Sequence, residues 1–163
     1  MHNIVTVTCN RDLEQFLVQA RSLQYLKSPV THWVIVNESS LESWASVLEP
    51  CYTVHTLKLI LRPFSVFDND GWLSQQAYKL WIWQLINDSY IVLDSKNFFL
   101  QPCELSAFNA IHGCGLLEDY SSKAHWLATI RYYSEYFGVE YSPIQLCMQA
   151  PFVIEDCVMR SVD

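Results

Sequence analysis

The chain has 163 residues, 51% of them hydrophobic and 14% aromatic, and its 10 Lys and Arg against 17 Asp and Glu give a formal charge of -7. A single domain of that length buries roughly 70% of the surface its unfolded chain exposes, so neither disulfides nor a structural metal are needed to hold a core. The acidic balance disfavours a nucleic-acid-binding surface, which needs clustered Lys and Arg, but it allows a phosphorylated small ligand held by a few placed cations, helix N-termini or a divalent metal.

Asn3 to Thr8 is short and β-branched, and the polar turn Cys9-Asn10-Arg11-Asp12 separates it from Leu13, Phe16, Leu17, Ala20 and Leu23 at helical spacing. The order strand, loop, helix then repeats. His32 to Val36 reads as a strand, Asn37-Glu38-Ser39-Ser40 as its exit, and Leu41, Trp44, Ala45 and Leu48 as the next helix, with Ser39 or Ser40 able to cap it. A third strand is expected over Tyr52 to Leu57, and Arg62 to Asp70 reads as loop because Pro63, Asp68, Asn69 and Asp70 punctuate it.

From Trp72 to Ile86 the positions Leu73, Ala77, Leu80, Trp81 and Leu85 predict a helix that Asn87-Asp88-Ser89 stops. Tyr90-Ile91-Val92-Leu93 is continuously apolar, as a strand covered on both faces of a parallel sheet is, and it ends at Asp94-Ser95-Lys96-Asn97. Later segments predict a helix from Ser122 to Phe137, stopped at Gly138, and a short apolar stretch from Pro151 to Ile154. The alternation defines an α/β fold with a Rossmann-like, mostly parallel central sheet flanked by helices, where ligands sit at the carboxyl ends of the strands. One domain over 1–163 is expected.

The six cysteines, Cys9, Cys51, Cys103, Cys114, Cys147 and Cys157, form no C-x-x-C pair and have no His at zinc-finger spacing. They read as reduced thiols. The start, MHNIVTVTCNRDLEQF, shows no basic region ahead of an apolar run, and no stretch reaches the ~20 apolar residues of a membrane span. We therefore expect a cytoplasmic protein without a membrane span.

Asp94 stands directly after a buried strand, where Asp is a poor strand residue and its charge is costly to desolvate without a partner. A divalent ion shared with substrate phosphates is one such partner, and a capping bond to the next turn is another. Gln75, Gln76 and Lys79 form a polar set on the preceding helix, and a Lys among Leu73, Ala77, Tyr78, Leu80, Trp81 and Trp83 that points at the strand ends would meet a diphosphate. Arg11 can reach a phosphate or base while Asp12 caps the first helix, and Asn37 can hydrogen-bond a base or ribose, although turn roles also account for Asp12 and Asn37. His112-Gly113-Cys114-Gly115 reads as a turn, followed by the acidic pair Glu118-Asp119; His2, His32, His55 and His125 show no ligand spacing. A dinucleotide-dependent oxidoreductase and a P-loop NTPase are disfavoured, because neither G-x-G-x-x-G nor G-x-x-x-x-G-K-[ST] occurs.

The stretch GWLSQQAYKLWIWQLINDSYIVLDSKNFFLQP, Gly71 to Pro102, resembles a family of bacterial and phage GT-A-like glycosyltransferases. In that family a helix with Gln and Lys precedes a strand ending in a DXD-like motif and an apolar-Pro tail; IVTVTCNRD, VIVNE and APFVIED fall where its other framework segments lie. The resemblance implies transfer of a sugar from a nucleoside-diphosphate sugar, a UDP-sugar in particular, to a sugar or glycan acceptor, assisted by Mn²⁺ or Mg²⁺. It implies that Asp94 binds the metal and that the loop from Thr8 to Asp12 lines the nucleotide pocket; from the residues themselves we add Asn37, Gln75, Gln76, Lys79, Ser95 and Lys96 to the expected donor site. The second Asp of the motif is Lys96 here, which leaves Asn97 as second oxygen ligand or Lys96 as a direct partner of phosphate. Glu118 or Asp119 is the expected base of an inverting transfer. On this reading 1–102 is the donor half and 103–163 a partial acceptor side. The aromatic surface left by a missing C-terminal part leads us to expect a homo-oligomer. The rival reading is a non-catalytic nucleotide-binding or assembly module that kept the sheet and lost transfer.

Overall fold

In the computed structural model the described residues are 2–36, 41–62, 71–106, 117–119, 121–122, 124, 127–128, 131, 144–146, 152–154 and 159–160. They fall in two compact units, residues 1–109 with 150–163, and residues 110–149. The first unit carries β1 (His2–Thr8), α1 (Leu13–Ser22), β2 (Val30–Val36), α2 (Leu41–Leu48), β3 (Thr56–Leu61), α3 (Gly71–Trp81), α4 (Trp83–Ile86) and β4 (Tyr90–Val92). The second unit holds an antiparallel pair, β5 (Leu117–Asp119) with β6 (Ile144–Leu146). β7 (Phe152–Ile154) belongs to the first unit and pairs antiparallel with β4, Tyr90 opposite Ile154.

The central sheet has the order β3-β2-β1-β4-β7, with β1 parallel to both β2 and β4 and β2 parallel to β3. Both faces of β2 and β4 and of the second half of β1 are buried, while β3 at the edge is half-buried. Alternation along each strand sends Val5, Val7, Ile35, Tyr90 and Val92 to one face, where Tyr78 and Ile82 pack on them. The other face presents Val34 and Val36 to Phe16, Ala20, Trp44 and Leu48 of α1 and α2, and Ile4 and Ile91 to Leu23. α1 and α2 thus lie on one side of the sheet and α3 on the other.

Most expected elements sit where the periodicity put them. The helix read from Trp72 to Ile86 is divided at Ile82, and it ends at Asn87 in the left-handed conformation (φ 48°, ψ 40°), whose N–H closes on Trp83 O at 2.7 Å. The third strand is displaced from the expected Tyr52–Leu57 to Thr56–Leu61. Tyr52 is taken up by the turn after Glu49–Cys51, its N–H bonded to Glu49 O, and His55 is turned inward to bond Leu23 O and the Val30 N–H, so pairing with β2 starts only at Thr56. The apolar stretch ending at Ile154 is a strand, β7. Of the helix expected over Ser122 to Phe137, residues 124, 127, 128 and 131 are helical, Ser122 lies in a turn, and the remainder is outside the described residues. Asn37 and the stretch 63–70 are also outside them.

Phe16 is fully buried, its ring 5.8 Å from those of both His32 and Trp44. Phe16→Ala is expected to cost about 3–5 kcal/mol through lost transfer energy and a residual cavity, read from the urea midpoint; a loss below about 1 kcal/mol would show that the α1–sheet interface collapses around the gap.

Candidate functional site

A cavity of about 610 Å³ opens where β1 and β4 end, within the roughly 300–1,000 Å³ of small-molecule sites. Three chain segments line it: Val7, Cys9, Arg11 and Asp12 after β1; Gly71, Gln75, Gln76 and Lys79 on α3; and Asp94, Ser95 and Lys96 after β4. The position follows from topology. Two crossovers step outward from β1 to β2 and β3, and the next, through α3, returns to β4 on the other side of β1, so the ends of β1 and β4 stand at the reversal with α3 beside them.

Lys79 is buried, yet its ammonium reaches the cavity floor and donates to Asp94 Oδ1 at 2.9 Å. Its side chain is 6% exposed and that of Asp94 is 51% exposed, so the lysine is the fixed partner and the carboxylate the solvated one. The Tyr90 hydroxyl donates to Lys79 O at 2.6 Å and ties this turn of α3 to β4; burial raises the pKa of that hydroxyl and keeps it a neutral donor. Arg11 Nε lies 3.7 Å from Asp12 Oδ1. Lys96 is exposed and, among the described residues, has no carboxylate within ion-pair distance. The lining therefore holds three cations against two carboxylates in a chain whose overall charge is -7.

The turn 94–97 is held from inside. Asn97 N–H donates to Asp94 O at 2.8 Å, and Asp94 N–H donates to Asn97 Oδ1 at 2.7 Å. Gln19 of α1, fully buried, donates its amide to Asp94 O at 2.6 Å and Asn97 O at 2.9 Å, and its Oε1 accepts from Thr6 Oγ1 at 3.0 Å. Thr6 Oγ1 in turn lies 2.9 Å from His32 Nε2, and His32 Nδ1 lies 2.7 Å from the Tyr52 hydroxyl. Because the Thr6 proton is committed to Gln19, Nε2 must be the donor and Nδ1 the acceptor, which fixes one neutral tautomer and runs every donor from Tyr52 toward the turn. Burial, reinforced by the charge of His55, lowers the His32 pKa to about 3.

Of the site residues expected from sequence, Arg11, Asp12, Gln75, Gln76, Lys79, Asp94, Ser95 and Lys96 come together around the cavity. Thr8 does not line it: it is buried on the α1 side of β1, with Oγ1 unpartnered among the described residues. Asp12 occupies the cap position of α1 but makes no capping bond, because the 3₁₀ turn Asn10–Asp12 leads into the helix and Leu13 N–H already bonds Asn10 O. Asn97 turns its amide oxygen to the backbone of Asp94, away from a ligand's position. Glu118 and Asp119 lie in β5 of the second unit, opposite Gln145 and Ile144. Gln19 was missed by the sequence reading. Its signal was present, a polar residue at helical spacing between Phe16 and Leu23 on the core-facing stripe of α1.

The Mn²⁺ or Mg²⁺ expected from the resemblance does not fit the donors present. Such an ion takes oxygen ligands. Here Asp94 offers one carboxylate with an ammonium already on Oδ1, Asn97 spends its oxygen internally, and Lys96 stands where a second carboxylate would be. Among the described residues no three His, Cys, Asp or Glu side chains gather at a metal-binding distance.

The chain is similar in structure to mouse xyloside xylosyltransferase 1 in its apo crystal form, with a TM-score of 0.55 and 11% sequence identity over 98% of this chain and 68% of that one. At that identity the likeness is one of fold: this is an α/β protein with a mostly parallel, helix-flanked Rossmann-like sheet, an architecture it shares with that xylosyltransferase. No protein-family model and no curated protein sequence matches the chain. Among the described residues no helix is long and apolar enough to cross a membrane.

Two outcomes follow from the buried hydrogen-bond chain. Gln19→Leu leaves the Asn97 carbonyl without the Gln19 donor, Asp94 O with the Asn97 N–H alone and Thr6 Oγ1 without the Gln19 acceptor, and is expected to cost about 1–3 kcal/mol in urea unfolding; an unchanged midpoint would remove the amide as anchor of the turn. Folded His32 stays neutral down to about pH 3, whereas unfolded His32 binds a proton near 6.5. The unfolded state therefore binds more protons between these values, so its contribution is complete above pH 6.5 and is lost as the pH falls, at up to about 1.4 kcal/mol per pH unit. His32→Gln should flatten the stability curve between about pH 5 and pH 7; parallel curves would exclude His32 as the source of the slope.

Proposed function

We propose that this chain is the donor-binding and catalytic domain of a glycosyltransferase that takes a sugar from a nucleoside-diphosphate sugar, a UDP-sugar in particular, to a sugar or glycan acceptor. The single observation that carries the reading is the cavity at the β1/β4 reversal, with Arg11, Lys79 and Lys96 around it on a fold shared with a xylosyltransferase. In such a reaction the bond from the anomeric carbon to the β-phosphate oxygen breaks, and its electron pair leaves on the nucleoside diphosphate. The acceptor oxygen forms the new bond to that carbon, and its proton passes to a carboxylate base. Cations fixed around the departing phosphate stabilise the charge that develops there. In this reading Arg11 and Lys79 bind phosphate, Gln75, Gln76 and Ser95 hydrogen-bond the donor, and Asn37 borders the nucleoside. Glu118 or Asp119 is the carboxylate we assign to the acceptor hydroxyl.

The donor set described above does not make a divalent-ion site, and no step is assigned to Mn²⁺ or Mg²⁺. We place the reaction in the cytoplasm, where free thiols such as Cys9, Cys51 and Cys103 persist, and propose self-association of the chain. A non-catalytic nucleotide-binding module is the second reading, and Lys96 in place of a motif carboxylate is the observation that favours it.

Calorimetric titration of UDP, GDP, ADP, CDP and TDP tests the proposal. One nucleoside diphosphate is expected to bind, with affinity falling about tenfold or more in Lys79→Ala. Release of that diphosphate from its sugar conjugate in the presence of a glycan mixture then separates the transferase from the non-catalytic module. If none of the five binds, the glycosyltransferase reading fails.

A further inference from the structure

Resting on that reading, we infer that the site holds its diphosphate without a divalent ion, the Lys79 and Lys96 ammonium groups standing in the ion's place and Asp94 serving as the positioning residue of Lys79. The first support is the state of Lys79. An ammonium has three donors, and among the described residues Asp94 Oδ1 is the one hydrogen-bond acceptor that the Lys79 ammonium meets. A buried cation left so sparsely satisfied is costly unless an anion completes its shell, and it faces a cavity large enough to admit one.

The second support is the distribution of charge. Asp94 is half exposed and offsets the buried lysine, while Arg11 is paired with Asp12, so Lys96 supplies the excess positive charge of the lining. It sits two residues after Asp94, on a turn fixed by Gln19, so its backbone is anchored although its side chain is exposed. A diphosphate entering the cavity meets one ammonium held in the floor and one on the rim, an arrangement that neutralises it from two sides as a bridging cation would.

The third support is what Asp94 does. Its carboxylate is spent on the ammonium 2.9 Å away, and a divalent ion bound there would be set against that fixed positive charge. Its backbone carbonyl and N–H close the turn with Gln19 and Asn97. Asp94 Oδ1, the backbone carbonyl and the N–H are thus each engaged by a protein group, while the rest of the carboxylate stays in solvent beside the cavity.

The test uses the full chain and two probes, inorganic pyrophosphate and the nucleoside diphosphates, each titrated calorimetrically in chelator and again with Mn²⁺. Affinities in the two conditions are expected to agree within about threefold, Lys96→Ala to weaken binding about tenfold or more in chelator, and Asp94→Asn, which keeps an oxygen for Lys79, to bind within about threefold of the native chain. Lys96→Asp, which restores a second carboxylate, is expected to abolish binding in chelator. Binding that requires Mn²⁺ and disappears in Asp94→Asn overturns the inference and leaves the nucleotide site standing. Pyrophosphate bound in chelator with no nucleoside diphosphate bound supports the lysine site and sinks the transferase reading instead. No binding of either probe in either condition overturns both. Lys96 is exposed, so its variants are expected to fold, and the comparison of chelator with Mn²⁺ needs no variant.

Discussion

Two crossovers carry the chain outward from β1 to β2 and β3, and the third must return past β1 to reach β4. Right-handed connections put α1 and α2 on one face and α3 on the other, so the last residues of β1 and β4 are neighbours at the reversal, and the loops that follow them both meet α1 while α3 lies on the other face. The crevice at that reversal is a consequence of strand order and owes nothing to any one side chain. Sequence decides what fills it. Val5, Val7, Tyr90 and Val92 secure the α3 face so that Lys79 is delivered to the crevice from one side, while Gln19 reaches the 94–97 turn from the other.

Much of this was legible in the chain. Tyr90 to Leu93 read as a doubly covered strand, and Asp94 was conspicuous as a carboxylate directly after that apolar run. Lys79 stood out for the same reason, a charge among large apolar neighbours. What the sequence hid were roles that depend on distant partners. Tyr52 and His55 have strand-like composition, but one serves His32 and the other serves Leu23 and Val30, and both are thereby withheld from β3. Gln19 reads as an ordinary helix residue until the turn it anchors is folded against it. Asn97 looked like a spare oxygen ligand because nothing local announces that its amide closes on Asp94.

The two kinds of polarity in the site have different origins. The hydrogen-bond chain from Tyr52 through His32, Thr6 and Gln19 is dry, neutral and directional, so it adds rigidity without a charge to compensate. The ion pair of Lys79 and Asp94 is asymmetric, one partner sunk in apolar packing and the other in water. Its strength therefore depends on what occupies the cavity, while the turn beneath it does not move with the charge.

The strand β7 has a consequence for how the chain comes off the ribosome. Its residues Phe152 to Ile154 are the partners of β4 on the side away from β1, and everything between Leu93 and Phe152 must be synthesised before they arrive. A nascent chain that has delivered β4 but not β7 holds a four-stranded sheet with an apolar, unpaired ladder open to any other strand. The late segment thus acts as a closing strip for a sheet already built.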